Sequence, residues 1–134
     1  MTPALLDSDT LTLWHKRHPE VVAHAASYVK QFGQLTISDL TYYEISRGLK
    51  AVGASAQLAR FEDACLAHRI LPFTHAAPVR AADIWADLKR RGALIGEMDT
   101  LIAGFALCEG LAVATRNISH FQRVRGLTVV DWTA

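Results

Sequence analysis

Short apolar runs recur along this chain, and between them lie longer stretches with the spacing of amphipathic helices. The runs are Ala4-Leu5-Leu6, Leu35-Thr36-Ile37, Ile70-Leu71-Pro72-Phe73, Leu111-Ala112-Val113-Ala114 and Leu127-Thr128-Val129-Val130. Each is too short for a helix, and an unbroken apolar run bounded by turn formers is the pattern of a strand buried on both faces. The intervening stretches predict helices after Asp7-Ser8-Asp9, over about Glu20–Gln31, from Ser38-Asp39 to about Lys50, and over Gln57–His68, Ala76–Arg91 and Met98–Glu109. Asp7, Ser8 and Ser38 are good N-caps, and Gly33 and Gly53 are good stops. Strands separated by helices pair in parallel, because a parallel neighbour can be reached only by a crossover. The expected fold class is therefore α/β: a central parallel sheet of four to five strands flanked by helices. Pro72 has no amide proton to donate, which places its run at a sheet edge.

A chain of 134 residues can bury one core and not two, so a single domain over residues 1–134 is expected, without repeats or linkers. Hydrophobic residues make up 51% and charged residues 20%, a globular composition. No stretch approaches the roughly 18 apolar residues that span a bilayer. The first residues lack a basic segment before an apolar run, so the expected compartment is cytoplasmic, with no membrane partner. The formal net charge of +1 argues against a protein that coats nucleic acid by bulk charge. It leaves room for an RNA enzyme whose site acids and surrounding bases cancel. Cys65 and Cys108 each fall in an apolar helical pattern and are expected to be buried free thiols. His15 and His18 have a chelating spacing on a helix but no third ligand nearby, and are read as solvated surface residues. Neither a Gly-rich phosphate loop nor a Ser-His-Asp pattern is present.

The acids carry more information. Asp7 closes the first strand, and Glu44 lies within two turns of the start of the helix after the second. Asp99 opens the helix after Gly96, with Ile102, Ala103 and Ala106 at i+3, i+4 and i+7. That spacing turns Asp99 onto the buried stripe, while Glu97 faces solvent. Thr115, Arg116 and Asn117 follow the end of the fourth run. Ligand sites of parallel sheets form outside the carboxyl ends of the strands, which is where all of these residues fall. A buried carboxylate is costly without a partner, and a divalent cation shared by Asp7, Glu44 and Asp99 would provide one; carboxylates suit Mg²⁺ or Mn²⁺. Each acid also has a plainer explanation. Asp7 and Asp9 can cap the first helix, Glu44 stands three residues after Thr41 in capping-box spacing, and Asp99 can favour a helix N-terminus.

Taken together, these residues resemble the PIN-domain ribonucleases, and within them the VapC-type toxins of bacterial toxin–antitoxin pairs. The resemblance spans nearly the whole chain. It rests on Leu5-Leu6-Asp7-Ser8-Asp9, on Ile37-Ser38-Asp39-Leu40-Thr41-Tyr42-Tyr43-Glu44-Ile45 with Gly48, and on Ile95-Gly96-Glu97-Met98-Asp99-Thr100-Leu101-Ile102-Ala103. Ala114-Thr115-Arg116-Asn117, Phe121, Gly126-Leu127 and Asp131-Trp132 complete it. It implies a Mg²⁺- or Mn²⁺-dependent endoribonuclease acting on a structured RNA such as tRNA. Asp7, Glu44 and Asp99 would be its catalytic metal ligands, with Ser8, Asp9, Thr115 and Asn117 lining the site. Ser8-Asp9 replaces the family's usual Thr-Asn, leaving the Ser8 hydroxyl to hold Asp7. Many members carry a fourth acid where this chain has His120, which with Arg116 and Arg91 is expected to face RNA. Lys89, Arg90, Arg123 and Arg125 add basic charge near the same region. The implied partners are a VapB-like antitoxin, inserting into the acidic groove, and a second copy of the chain. Trp14, Tyr42 and Tyr43 are candidate anchors for such partners or core residues, with Tyr43 assigned to the core.

Two other readings remain open from the sequence. Leu5-Leu6-Asp7-Ser8-Asp9-Thr10-Leu11 looks like the strand-one signature of haloacid-dehalogenase-type phosphatases, in which Asp7 would be a nucleophile. No glycine follows the pair, however, and the chain is short for that fold. The departure at His120 also admits a non-catalytic PIN-like binding module.

Overall fold

The structure, a computed structural model, describes residues 1–134. In chain order the elements are β1 (Ala4–Leu6), α1 (Ser8–His15), α2 (Pro19–Phe32), β2 (Thr36–Ser38), α3 (Asp39–Ala51) and α4 (Ser55–Cys65). They continue with β3 (Arg69–Leu71), α5 (Ala76–Arg90), α6 (Glu97–Glu109), β4 (Ala112–Ala114), α7 (Ile118–Phe121) and β5 (Val129–Val130). The strands form one five-stranded sheet in the order β3-β2-β1-β4-β5, and every pairing is parallel. This is the expected α/β architecture at the upper end of the strand count, and the Pro72 run does end at an edge strand.

Alternation along β1 divides the core. Ala4 and Leu6 face a cluster built with Leu11, Val21, Tyr28, Phe61 and Trp132, so α1 to α4 cover that face. Leu5 faces the other side, where Ile84, Leu88, Ile102, Phe105 and Phe121 come from α5, α6 and α7. Both faces of the central strand are thus dry, which is why its sequence is apolar without alternation. Helices α5 and α6 approach closely at Gly104, where an added Cβ would stand 2.8 Å from the Ala77 carbonyl oxygen and 3.0 Å from Ala81.

The strand order also positions the site. From β1 the chain moves outward through β2 and β3, then returns across the sheet to place β4 on the opposite side of β1. Connections leaving β1 and β4 therefore diverge, which makes their carboxyl ends the switch point where parallel sheets bind ligands. The Asp7 amide donates to the Ala114 carbonyl at 3.2 Å, so Asp7 and Thr115 emerge there side by side.

Four residues lie elsewhere than the sequence indicates. Cys108 is exposed, with its thiol on the Ala76 carbonyl at 3.3 Å, because it sits beyond the end of the buried stripe of α6; only Cys65 is buried. Tyr43 is 52% exposed, with the Arg47 guanidinium 5.0 Å above its ring, because α3 buries its opposite side. His15 is half-buried against Trp14 and Phe61, and its Nε2 has no hydrogen-bond partner, so it is no solvated surface residue. His18 is the N-cap of α2, its Nδ1 accepting from the Val21 amide at 3.4 Å. The short α7 is absent from the sequence reading, since four residues are too few to show a period.

Candidate active site

Asp7 is the most enclosed of the acids, 5% exposed. Its position is set twice: β1 ends on it, and its Oδ1 accepts from the Thr10 amide at 2.9 Å, which makes it the N-cap of α1. The cap is therefore the same side chain that the sequence singles out as a candidate metal ligand. Burial pushes its pKa up to about 6, although hydrogen bonds from Thr115 and Thr10 favour the ionised form; the charge of Asp9 raises it further.

Glu44 comes from the second turn of α3. The N-cap of that helix is Ser38, whose Oγ accepts from the Thr41 amide at 3.2 Å, so Glu44 lies beyond the capping-box position and that explanation fails. Thr41 is fully buried and donates to the Leu6 carbonyl at 3.5 Å, tying α3 to the end of β1. Burial raises the pKa of Glu44, a hydrogen bond from Ser8 lowers it, and Asp99 and Asp7 raise it, with Arg47 opposing them. Ser8 thus serves Glu44 and not Asp7, a correction that follows from α1 beginning at Ser8 and turning its hydroxyl towards α3.

Asp99 occupies the first turn of α6, whose N-cap is Gly96. Ile102, Ala103 and Ala106 are buried as the spacing predicts, while the Asp99 side chain retains 26% exposure, a position that can reach a ligand. Its Oδ2 accepts from Asn117 Nδ2 at 3.0 Å, and His120 Nδ1 stands 3.3 Å away. The Asn117 amide nitrogen also lies 2.8 Å from His120 Nδ1. Asn117 Nδ2, Asp99 Oδ2 and His120 Nδ1 thus form one three-way polar contact, and His120 Nε2 is left without a partner.

Thr115 and Asn117 join two of the acids. The Asn117 amide donates to Thr115 Oγ1 at 2.9 Å, and the Thr115 hydroxyl in turn bonds Asp7. The loop after β4 therefore meets Asp7 through the Thr115 hydroxyl and Asp99 through the Asn117 side chain. Asp9 turns outward, and the Arg116 guanidinium donates to it at 3.1 and 3.4 Å. Arg91 is further away, bound to Asp87 at 2.6 Å and to the Arg123 carbonyl at 2.7 Å.

These features bear directly on a cation. Buried and mutually repelling carboxylates bind protons more tightly than usual, and a divalent ion would relieve the same excess of negative charge. Three carboxylates are also the donor type that Mg²⁺ or Mn²⁺ takes. No three His, Cys, Asp or Glu side chains stand close enough together to hold one ion, so the three-carboxylate site expected from the sequence is not assembled in this structure. Two features escape the sequence reading: Arg47, one helical turn from Glu44, and the bond from Asn117 to His120, although its i to i+3 spacing is visible once α7 is known.

The profile of one protein family, the PIN domain, matches residues 4–127. The chain belongs to the PIN-domain family. A VapC ribonuclease of Sinorhizobium fredii is 31% identical across 95% of each chain. The tRNA(fMet)-specific endonuclease VapC of Shigella flexneri is 34% identical over 102 residues, 75% of this chain and 77% of its own. Among solved structures, the DNA-bound VapBC of Salmonella typhimurium matches with a TM-score of 0.87 and 29% identity, over 98% of this chain and 99% of that one. Within the PIN domains this chain is thus of the VapC type. The phosphatase reading of Asp7-Ser8-Asp9 falls with it, and the geometry agrees, because Asp9 is committed to Arg116 at the surface instead of standing beside Asp7 as a second reacting acid.

Proposed function

We propose that this PIN domain is a metal-dependent endoribonuclease, the toxin of a toxin–antitoxin pair, cutting a structured RNA of the tRNA class. The observation that supports the reading is that Glu44 feels the charges of both Asp7 and Asp99 near the carboxyl ends of β1 and β4, with Asp7 and Glu44 both held short of their usual acidity. Asp7, Glu44 and Asp99 would hold one Mg²⁺ or Mn²⁺. Such an ion supplies water activation and offsets charge growing on the phosphate.

The chain's own residues do the rest. Thr10 and Thr115 fix the Asp7 carboxylate, Ser8 fixes Glu44, and Asn117 takes one oxygen of Asp99 and leaves the other free. Arg116 is placed to meet the phosphate, with Asp9 steering its guanidinium. His120, in contact with Asn117 and Asp99 through Nδ1, has Nε2 free to meet a phosphate oxygen. The antitoxin has a suitable seat in a groove of about 800 Å³ lined by Trp14, Val22, Ile45, Leu49 and Phe61, with Lys16, Arg17 and Arg60 at its rim. Thr12, Ile45 and Leu49 also line a hollow beside Glu44, so an occupant of the groove can reach the acids. The protein would act in the cytoplasm as a homodimer; no helix is long and apolar enough to cross a membrane.

The test is cleavage of a total tRNA pool with Mg²⁺ or Mn²⁺ by the protein and by Asp99→Asn. Cutting that EDTA and the substitution both abolish supports the enzyme. Equal cutting by both proteins refutes the site. The non-catalytic reading has one observation in its favour, the lack of three donors around a single point. A Mn²⁺-dependent rise in melting temperature without cleavage of any RNA would establish it instead.

A further inference from the structure

Five of the chain's 14 Lys and Arg residues lie at one place in the fold, the end of α5 and the turn after α7. They are Lys89, Arg90, Arg91, Arg123 and Arg125. Asp87 is the one acid within residues 87–94 and 118–127, so this region carries a local excess of four positive charges while the whole chain carries +1. The remainder of the molecule is therefore net negative, and the patch is a distinct feature of its field.

The cluster is built and not merely crowded. Arg91 binds Asp87 at 2.6 Å and the Arg123 carbonyl at 2.7 Å, and Arg123 reaches back to the Ala93 and Leu94 carbonyls at 3.4 and 3.1 Å. Two arginines thus lock the end of α5, the turn after α7 and the loop that leads into α6 against one another. Outside this lock, Lys89 and Arg90 are exposed and have no acidic partner, and the Arg125 side chain is 75% exposed, touching Asp87 only at 3.5 Å. The platform is continuous with the candidate site, because the Arg123 amide donates to the carbonyl of His120, whose ring meets Asp99.

We infer that this platform is a phosphate-binding surface for the RNA strand flanking the cut, with Lys89, Arg90 and Arg125 making the contacts and Arg91 and Arg123 holding them in place. The inference rests on the ribonuclease reading for its ligand. A preordered row of cations beside a cleavage site fits a polyanion longer than the reacting phosphodiester. Each phosphate contact releases counterions and adds about 0.7–0.9 to the slope of log affinity against log salt.

The experiment measures binding of a fluorescent stem–loop RNA in EDTA between about 50 and 300 mM salt, where no cutting occurs. It compares the protein with Lys89→Ala/Arg90→Ala/Arg125→Ala and with Lys30→Ala/Lys50→Ala/Arg69→Ala, which removes the same charge elsewhere. The expected result is a salt slope lower by about 2–3 and affinity down at least about tenfold in the first variant only. Equal binding by the first variant and the unaltered protein overturns the proposal, as does an equal loss in both variants. Melting temperatures of both variants establish that they are folded. Cleavage with Mn²⁺ is measured alongside. Patch-dependent binding without cleavage refutes the ribonuclease reading and leaves the platform standing, whereas cleavage with patch-independent binding does the reverse.

Discussion

Replacing Asp7 with Asn tests whether the site holds negative charge at the expense of stability. Asn retains an oxygen that can accept from the Thr10 amide, so the cap on α1 survives. What disappears is a buried charge. The folded-state pKa of Asp7 is about 6, against about 3.9 for Asp in an unfolded chain. The folded state binds this proton more tightly, so the stability it confers is fully present below about pH 4, declines as pH rises towards 6, and is gone above it. Two units correspond to about 3 kcal/mol. The variant should match the unaltered protein near pH 4 and exceed it by about 3 kcal/mol at pH 8, or about 10 °C in melting temperature for a domain of this size. The assay is urea and thermal unfolding of both proteins in EDTA from pH 4 to 8, taking the difference at each pH so that the other acids cancel. Adding Mn²⁺ at about 100 times its Kd should then stabilise the unaltered protein by about 2.7 kcal/mol and leave the variant unmoved. A difference that does not change with pH, or a variant less stable at pH 8, would refute the burial argument.

Asp99→Asn should abolish both cleavage and the metal-induced rise in melting temperature while folding normally, checked by calorimetry with and without Mn²⁺. Cleavage by the unaltered protein should climb between pH 5 and 7, because Asp7 must lose its proton to bind a cation; a flat profile over that range would contradict its role as a ligand. Gly104→Ala should lose about 1–3 kcal/mol in urea unfolding, because the new methyl meets backbone atoms of α5 that have no room to yield. Arg116→Ala should raise KM for RNA and leave the melting temperature unchanged, since its partner Asp9 is half-exposed.

Much of the fold was legible because period and burial agree. β1 and β4 are apolar without alternation because both of their faces are covered, and Ser38 and Asp7 mark helix starts that the structure places there. The boundaries moved by a residue or two where propensity is weak, as at the start of α4, which opens without a side-chain cap. The acids were legible as positions at strand ends and helix starts, since topology alone sends those places to one side of the sheet. Side-chain partners were not. Ser8 turned to Glu44 because helix phase, and not nearness in sequence, decides what a hydroxyl faces. Tyr43 and Cys108 were misplaced for a related reason: an apolar residue type sits on the outer side of a helix as readily as the inner when the stripe beside it is already complete.

The contacts of Thr115 with Asp7 and of Asn117 with Asp99 show why the candidate site depends on strand order. Thr115 and Asn117 belong to the loop after β4, and they reach Asp7 only because β4 pairs directly with β1. Were β4 to follow β3 at the outer edge, the same residues would stand at the far side of the sheet. The jump back across β1 therefore brings the first and last thirds of the sequence together at the switch point. It also explains the burial of Asp7: the residue closing the central strand is covered by helices on both faces, so a charge placed there is desolvated by the fold itself. The proposed cation-binding role and the cost in stability thus have one origin, the desolvation whose size the pH dependence of Asp7→Asn measures.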